Sequence, residues 1–566
     1  MSWFDSHLLS LLIFLPLVGA VVVALLPRAE GGQHKAVAFV TSLVVFGLSI
    51  PLWTGFPPGA GAKTQWAFEQ KAAWAPTLGF SYHVGIDGVA LLLILLTTIL
   101  GPIVVLSSWN SVQSRVKEFC IALLILETAM LGTLAALDLV LFYVFWEAML
   151  IPMYLLIGVW GSERRIYAAV KFFLFTFIGS VLMLLAIFYC WSQSGAAGAR
   201  TFDYTALLQN AQFTAEAQRW LFAAFALAFA IKVPVFPLHT WLPDAHTEAP
   251  AAGSVLLAGV MLKMGTFGFI RYAMPLFPSA ARDWAPTLAV LGVIGIIYGS
   301  LMCMAQTDLK RLIAYSSVAH LGFVMLGLSA LTAESVNGAV LQMINHGIST
   351  GALFLIIGYL YERTHTRDLA AYGGLARVAP AMAAVFLVVV LSSIGLPATN
   401  GFVGEFLILI GTFTAQMGAW HPFNFEIQRG VALSVLGATG VILGAVYMLW
   451  MYQKVMFGPK RSAATHGLAD LGGREWATLV PLLALIVIIG VFPGEFLAPI
   501  KTPVDDFIAR VQGNGGRRPD QSGQPVRPRA LRPSFDIAPD ARPKPGVLPG
   551  QLLPQRPSIV PQGNGQ

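Results

Sequence analysis

Charged side chains are scarce in this sequence. Asp, Glu, Lys and Arg together make up 11% of 566 residues, where a soluble chain carries about 25%. A water-soluble globular domain is thereby excluded. Cysteine is nearly absent as well. Cys120, Cys190 and Cys303 sit in apolar runs without paired or metal-ligand spacing, which argues against disulfides and iron–sulfur sites. No glycine-rich phosphate loop, metal-ligand cluster, flavin motif or nucleophile triad stands out, so no redox centre and no metal are expected on this chain. Met1 to His7 lack a basic n-region, and no small-residue cleavage site follows. Leu8–Leu26 therefore reads as a retained first helix rather than a cleaved signal.

What the sequence has in abundance is apolar length. Hydrophobic residues form 56% of the chain, and the mean hydropathy is +0.71. Runs long enough to span a bilayer, about 20 residues each, recur near 8–27, 35–53, 88–107, 119–137, 139–160, 166–191, 219–239, 251–274, 286–305, 312–331, 336–361, 380–418, 430–457 and 476–496. They predict an all-α polytopic membrane protein of about fourteen transmembrane helices. The formal charge of +7 does not point to nucleic acid. After position 500 there are ten Lys/Arg against five Asp/Glu, and before it 25 against 23. From Gln512 onward Pro, Gly, Gln and Arg dominate, a composition that cannot bury a core and predicts a disordered tail over 512–566.

Two of the runs are interrupted. The seventh passes into Lys232-Val233-Pro234-Val235-Phe236-Pro237, and the twelfth contains Gly395-Leu396-Pro397-Ala398-Thr399-Asn400-Gly401. Proline, glycine and asparagine at membrane depth free backbone groups, and that is tolerated only where protein or water satisfies them. The breaks lie five spans apart. Five is odd, so a repeat of that length inverts in the membrane, as in many transporters. The expectation is two inverted five-helix repeats, 112–275 and 284–460. The first three helices (1–111) precede them and a last helix (474–498) follows. With both ends outside, inner loops carry sixteen Lys/Arg and outer loops seven, a bias that fits an outer amino terminus.

The few charges inside the membrane are the functional candidates, because each is costly there and faces protein or water. Glu147 has apolar neighbours for a turn on both sides, and Lys232 stands two residues before Pro234. The two form a natural acid–base pair, with a static packing ion pair as the alternative. Lys263 lies deep in the eighth span, and a buried lysine shifts readily between charged and neutral. His320 and His346 suit proton relay, the alternative for each being a satisfied core histidine. Glu405 follows the second break as Lys232 precedes the first. Glu127, beside Thr128, is a weaker candidate, and His239 and His246 read as loop-bonding residues near the inner surface. Together Glu147, Lys232, Lys263, His320, His346 and Glu405 alternate acid, cation and base across the bundle.

Four stretches also carry a family resemblance. They are Phe145-Trp146-Glu147-Ala148-Met149-Leu150-Ile151-Pro152, Lys232-Val233-Pro234-Val235-Phe236-Pro237-Leu238-His239-Thr240-Trp241-Leu242-Pro243-Asp244-Ala245-His246, Asp308-Leu309-Lys310-Arg311-Leu312-Ile313-Ala314-Tyr315-Ser316-Ser317, and Asn400-Gly401-Phe402-Val403-Gly404-Glu405-Phe406. Over about residues 1–500 the sequence resembles the antiporter-like membrane subunits of respiratory complex I. The resemblance implies fourteen helices with two inverted repeats and a proton path through Glu147, Lys232, Lys263 and a twelfth-span charge. It places this chain in the branch with glutamate at that last position, Glu405, where its relatives carry lysine. It also implies that NADH, flavin, iron–sulfur clusters and quinone are bound by other subunits. Neighbouring antiporter-like subunits in a bacterial plasma membrane are the implied partners. A sodium/proton antiporter subunit and a hydrogenase-linked subunit are the alternatives.

Overall fold

The computed structural model describes residues 3–28, 31–57, 59–61, 65–195, 200–420, 427–459 and 468–513. Apart from its first two residues, the Pro-rich tail lies outside them. Helices α1 (Trp3–Leu25) and α2 (Gly31–Thr54) precede an antiparallel hairpin of β1 (Ala67–Ala75) and β2 (Phe80–Ile86). Then come α3 (Gly88–Ser107), α4 (Val116–Ala135), α5 (Leu139–Ala148), α6 (Leu150–Trp160) and α7 (Arg165–Gln193). A short α8 (Tyr204–Asn210) leads into α9 (Ala215–Lys232) and α10 (Trp241–Glu248). The next span alternates α11 (Ala251–Leu256), a π segment, α12 (Leu262–Gly268), a second π segment and α13 (Met274–Leu276). The second half holds α14 (Pro278–Met304), α15 (Leu309–Ala330), α16 (Ala333–Thr364), α17 (Pro380–Ser393) and α18 (Asn400–Phe413). A two-residue pairing of β3 (Ala419–Trp420) with β4 (Ile427–Gln428) precedes α19 (Arg429–Met456), α20 (Gly473–Val491) and α21 (Pro493–Val511).

Among the described residues twelve helices are long and apolar enough to cross a membrane, with α5–α6 and α11–α13 each counted once. The two expected spans missing from that number are the interrupted ones. α9 stops at Lys232, because Pro234 has no N–H to continue the ladder. The indole N–H of Trp241 then donates to the Ile231 carbonyl at 2.9 Å, satisfying backbone that the break exposes. The twelfth span divides into α17 and α18, of 14 residues each. Gly395 takes the left-handed turn between them at φ 73°. A Cβ on Gly401 would meet the Ser392 carbonyl at 2.1 Å, so only glycine lets the two half-helices meet there. The break between α5 and α6 falls at Met149, three residues before Pro152, which has no N–H to donate to the Ala148 carbonyl one turn back.

Burial sorts the helices. The apolar stretches of α11–α13, α15 and α16 are 100% buried, against 28% for α2 and 33% for α20, so the first three form the centre of the bundle. Two Asp-Leu pairs open spans in parallel fashion. Asp138 caps α5 by accepting from the Val140 and Leu141 amides, and Asp308 caps α15 by accepting from those of Lys310 and Arg311. Each also forms an isolated bridge to a later aspartate, Asp138 to Asp203 and Asp308 to Asp368. Two elements were not expected from the sequence. The β1–β2 hairpin packs on α1, and α21 buries Ile500, Pro503, Val504, Phe507 and Val511 as one helical stripe. Lys501, Asp505, Asp506 and Arg510 make α21 too polar to read as a span.

Candidate proton-relay site

Glu147 sits at the end of α5, just before the break, and is half-buried. Its Oε1 is enclosed without a hydrogen-bond partner. Lys232 is 1% exposed, and among the described residues its Nζ also lacks a hydrogen-bond partner. No direct ion pair joins them, although each lies in the other's field. The ammonium instead stands 5.1 Å from the centroid of the Trp146 ring and 5.8 Å from that of Phe172. Aromatic faces attract a cation without fixing its direction. The Trp146 ring is held in turn by its N–H, which donates to Ser180 Oγ at 3.1 Å.

Lys263 is handled differently. It lies one residue into α12, directly after the π segment Leu257–Met261, and is completely buried. π turns often mark functional positions, because they misalign backbone carbonyls from the ladder. Here the Ala258 carbonyl accepts from Lys263 Nζ. The same ammonium reaches Nδ1 of His346 on α16 at 2.6 Å. The His346 ring lies 5.6 Å, centroid to centroid, from that of His320 on α15. Nδ1 of His320 in turn meets Oε1 of Glu405 on α18 at 3.1 Å. Four of the six residues expected from sequence thus form one buried line across four helices. The other two, Glu147 and Lys232, form the separate site beside Trp146.

Four further residues, Gln342, Asn345, Ser349 and Ser392, extend the line and were not singled out from the sequence. Gln342 donates to Glu405 Oε1 at 3.0 Å. Asn345 donates to Gln342 Oε1 at 3.1 Å and to the Asn400 carbonyl at 2.7 Å. Ser349 and Ser392 share a 2.6 Å hydrogen bond, and Ser392 donates to Asn400 Oδ1 at 2.6 Å. The signal was present in α16. Gln342, Asn345, His346, Ser349 and Thr350 recur at i, i+3, i+4, i+7 and i+8, a polar stripe on one face of an otherwise apolar helix. A cavity of about 10 Å³ lies against His320, His346 and Asn345, a size that just admits one water.

The remaining candidates separate. His246 is fully buried, not at a surface, with both ring nitrogens unpartnered and the ring stacked on Phe354 at 4.8 Å. His239 is buried beside Phe236 and Tyr298. Glu127 accepts from Ser42 at 2.9 Å, between α2 and α4, and belongs to neither cluster. No group of three His, Cys, Asp or Glu among the described residues could hold a metal ion.

The sequence and the fold are both similar to those of known proteins. The family described as "NADH:quinone oxidoreductase/Mrp antiporter, TM" matches residues 136–425. Subunit M of the NADH-quinone oxidoreductase of Rhodobacter capsulatus is 44% identical over 499 residues, covering 86% of this chain and 94% of that protein. This chain belongs to that family. Within the NADH:quinone oxidoreductase/Mrp antiporter family, chain 4 of the NADH-ubiquinone oxidoreductase of Arabidopsis thaliana is 42% identical, covering 88% of this chain and 97% of that one. A chain of the respiratory complex I of Thermus thermophilus with bound NADH superposes with a TM-score of 0.78 at 34% identity, over 90% of this chain and 100% of its own length. The Mrp complex of Dietzia sp. DQ12-45-1b shares the fold at 20% identity and a TM-score of 0.73, over 89% of this chain and 52% of the matched one.

Proposed function

We propose that this chain is the subunit M-type, proton-translocating membrane subunit of an NADH:quinone oxidoreductase. In that role it couples electron transfer in other subunits to proton movement across the membrane. The observation that carries the reading is the buried line Lys263–His346–His320–Glu405, in a chain 44% identical to a subunit M along nearly its whole length. Flavin, iron–sulfur clusters, NADH and quinone belong to other subunits. The partners are the neighbouring membrane subunits of the complex. The chain is multi-pass in the bacterial inner membrane, with its amino terminus on the outer side.

The line works as a relay by ordinary acid–base steps. Lys263 as ammonium donates to His346 Nδ1, and the imidazolium so formed releases a proton from Nε2. That nitrogen is unpartnered and is free to serve as the exit. His320 takes the proton on Nε2 and passes the one on Nδ1 to Glu405 Oε1, and Gln342 steadies the receiving carboxylate. The water-sized cavity beside the two histidines spans the one step longer than a hydrogen bond. Glu147 and Lys232 form the electrostatic input. Among the described residues Lys232 Nζ is tied by no hydrogen bond, so a charge change at Glu147 acts on it through the field alone. Two inverted repeats, 112–275 and 284–460, frame this arrangement. Their support is the pair of broken spans five apart and the pair of Asp-Leu caps with matching Asp–Asp bridges.

Glu147→Gln tests the assignment. In inverted vesicles carrying the assembled complex, NADH oxidation with an artificial acceptor should persist while proton pumping falls. Unchanged pumping would reject the coupling role of Glu147. Sodium-dependent proton exchange without associated NADH oxidation would favour an antiporter subunit instead.

A further inference from the structure

A cavity of about 350 Å³ opens where the end of α6 and the start of α7 meet α15 and the last turns of α16. It is separate from the relay. Three cations line it, Lys310, Arg165 and Arg367, with one carboxylate, Glu362. That carboxylate is already taken, because Arg474 donates to it at 3.0 Å. Arg367 is partly satisfied by Asp308 at 3.1 Å. Glu248, the remaining acid nearby, accepts from the Arg164 amide at 3.0 Å. Among the described residues Lys310 has no ion-pair partner, and it is only 7% exposed. Its ammonium has three N–H donors and one acceptor, the Ala249 carbonyl. Among the described residues the Arg165 side chain has one hydrogen bond, of 3.4 Å to the Gly161 carbonyl. A buried cation with spare donors is costly unless an anion completes it.

The position of the cavity narrows the anion. Trp160 and Tyr361 stand at its rim, at the ends of apolar helices, where amphipathic aromatic rings favour the membrane–water boundary. Basic pockets between helices at that depth suit lipid phosphates, and arginine suits phosphate oxygens in particular. We infer that this cavity binds a phosphate oxyanion, presented by the headgroup of an anionic phospholipid. Lys310 contacts the oxyanion from the floor of the cavity and Arg165 from its mouth. The site bears on the relay through charge. His246 lies in the fields of both Lys310 and Lys263, so an anion on Lys310 offsets one of the two cations it faces. Binding itself does not rest on the proton-translocation reading.

The test uses the whole complex, carrying Arg165→Gln or Lys310→Gln. Arg165 is exposed, so its replacement does not threaten folding. The lipids retained after mild-detergent purification are first weighed by native mass spectrometry, which needs no turnover. The wild type should hold more phosphatidylglycerol than either variant, and each lost cation should weaken retention about fivefold. The complex is then placed in phosphatidylcholine vesicles, and phosphatidylglycerol or inorganic phosphate is added. Pumping that rises with phosphatidylglycerol in the wild type and stays flat in the variants supports the lipid headgroup. The same pattern with inorganic phosphate alone supports the oxyanion site but replaces the lipid by free phosphate. Equal lipid retention and equal responses in wild type and variants overturn the proposal, whether or not the complex pumps.

Discussion

Glu147–Lys232 and Lys263–Glu405 are both built from buried acids and bases beside a broken helix, yet they are stabilised in opposite ways. The first pair has almost no hydrogen bonds. Its carboxylate Oε1 and its ammonium are both unpartnered, and the nearest company of the cation is the Trp146 and Phe172 rings. The second is hydrogen-bonded at both ends, Lys263 to His346 and His320 to Glu405, with Gln342 and Asn345 fixing the carboxylate end. A hydrogen-bonded line defines a direction for a proton. A cation held only by aromatic faces and a distant carboxylate can move, and its energy follows the charge around it. The difference suggests a division of labour, in which the loose pair senses and the bonded line conducts.

The sharpest way to break that contrast is to remove the conductor. Lys263→Ala should lower pumping by at least about tenfold, since a positioned acid–base group is commonly worth 10²-fold or more. Proton uptake by energised vesicles reads this, and near-normal pumping would mean that the line is structural. Glu405→Gln comes next. Glutamine keeps an acceptor for His320 and Gln342 but cannot take a proton, so pumping should fall about tenfold while the complex assembles normally. Glu405→Ala should in addition destabilise the membrane arm by about 1–3 kcal/mol, because two buried donors lose their acceptor. If Glu147→Ala destabilises as much as Glu405→Ala in the same thermal assay, the two clusters are not different in kind.

A smaller effect belongs to the ring. Trp146→Leu removes the face beneath Lys232 and frees Ser180, weakening the hold on the cation by about 0.5–2 kcal/mol. Pumping should fall a few-fold with NADH oxidation intact. The smallest effect tests a static control outside the membrane. Asp203 is bonded to His83 at 2.7 Å and to Lys71 at 2.6 Å, and these partners hold its carboxyl well below the usual carboxylate range despite burial. A depressed folded-state value gives stability that is fully present above the unfolded value of about 3.9 and is lost only as pH falls below it. Asp203→Asn should therefore cost about 1 kcal/mol, unchanged between pH 5 and 8 in a thermal assay. A cost that varies across that window would show that His83, not Asp203, controls the cluster.

The apolar spans, the two helix breaks and the six intramembrane residues were all legible in the chain, because lipid imposes length, backbone satisfaction and a charge penalty that act locally. The polar stripe of α16 was legible in principle, by its helical spacing, but was masked by charged residues that draw attention first. Sequence alone had no way to know that α21 would fold, since its apolar residues make a stripe only once a bundle offers a surface to cover.

Partner choice was settled by the tertiary structure alone. Sequence order suggested Glu147 with Lys232 as an acid–base pair, and the fold sets them without a direct ion pair, with aromatic rings around the cation. It joined Lys263 to His346, 83 residues away, and His320 to Glu405, 85 residues away. Sequence fixes how deep a residue sits along its own helix, because rise per residue is constant. Which side chains meet across helices depends on rotation, crossing angle and the π turn before Lys263, and those emerge only when the whole bundle packs.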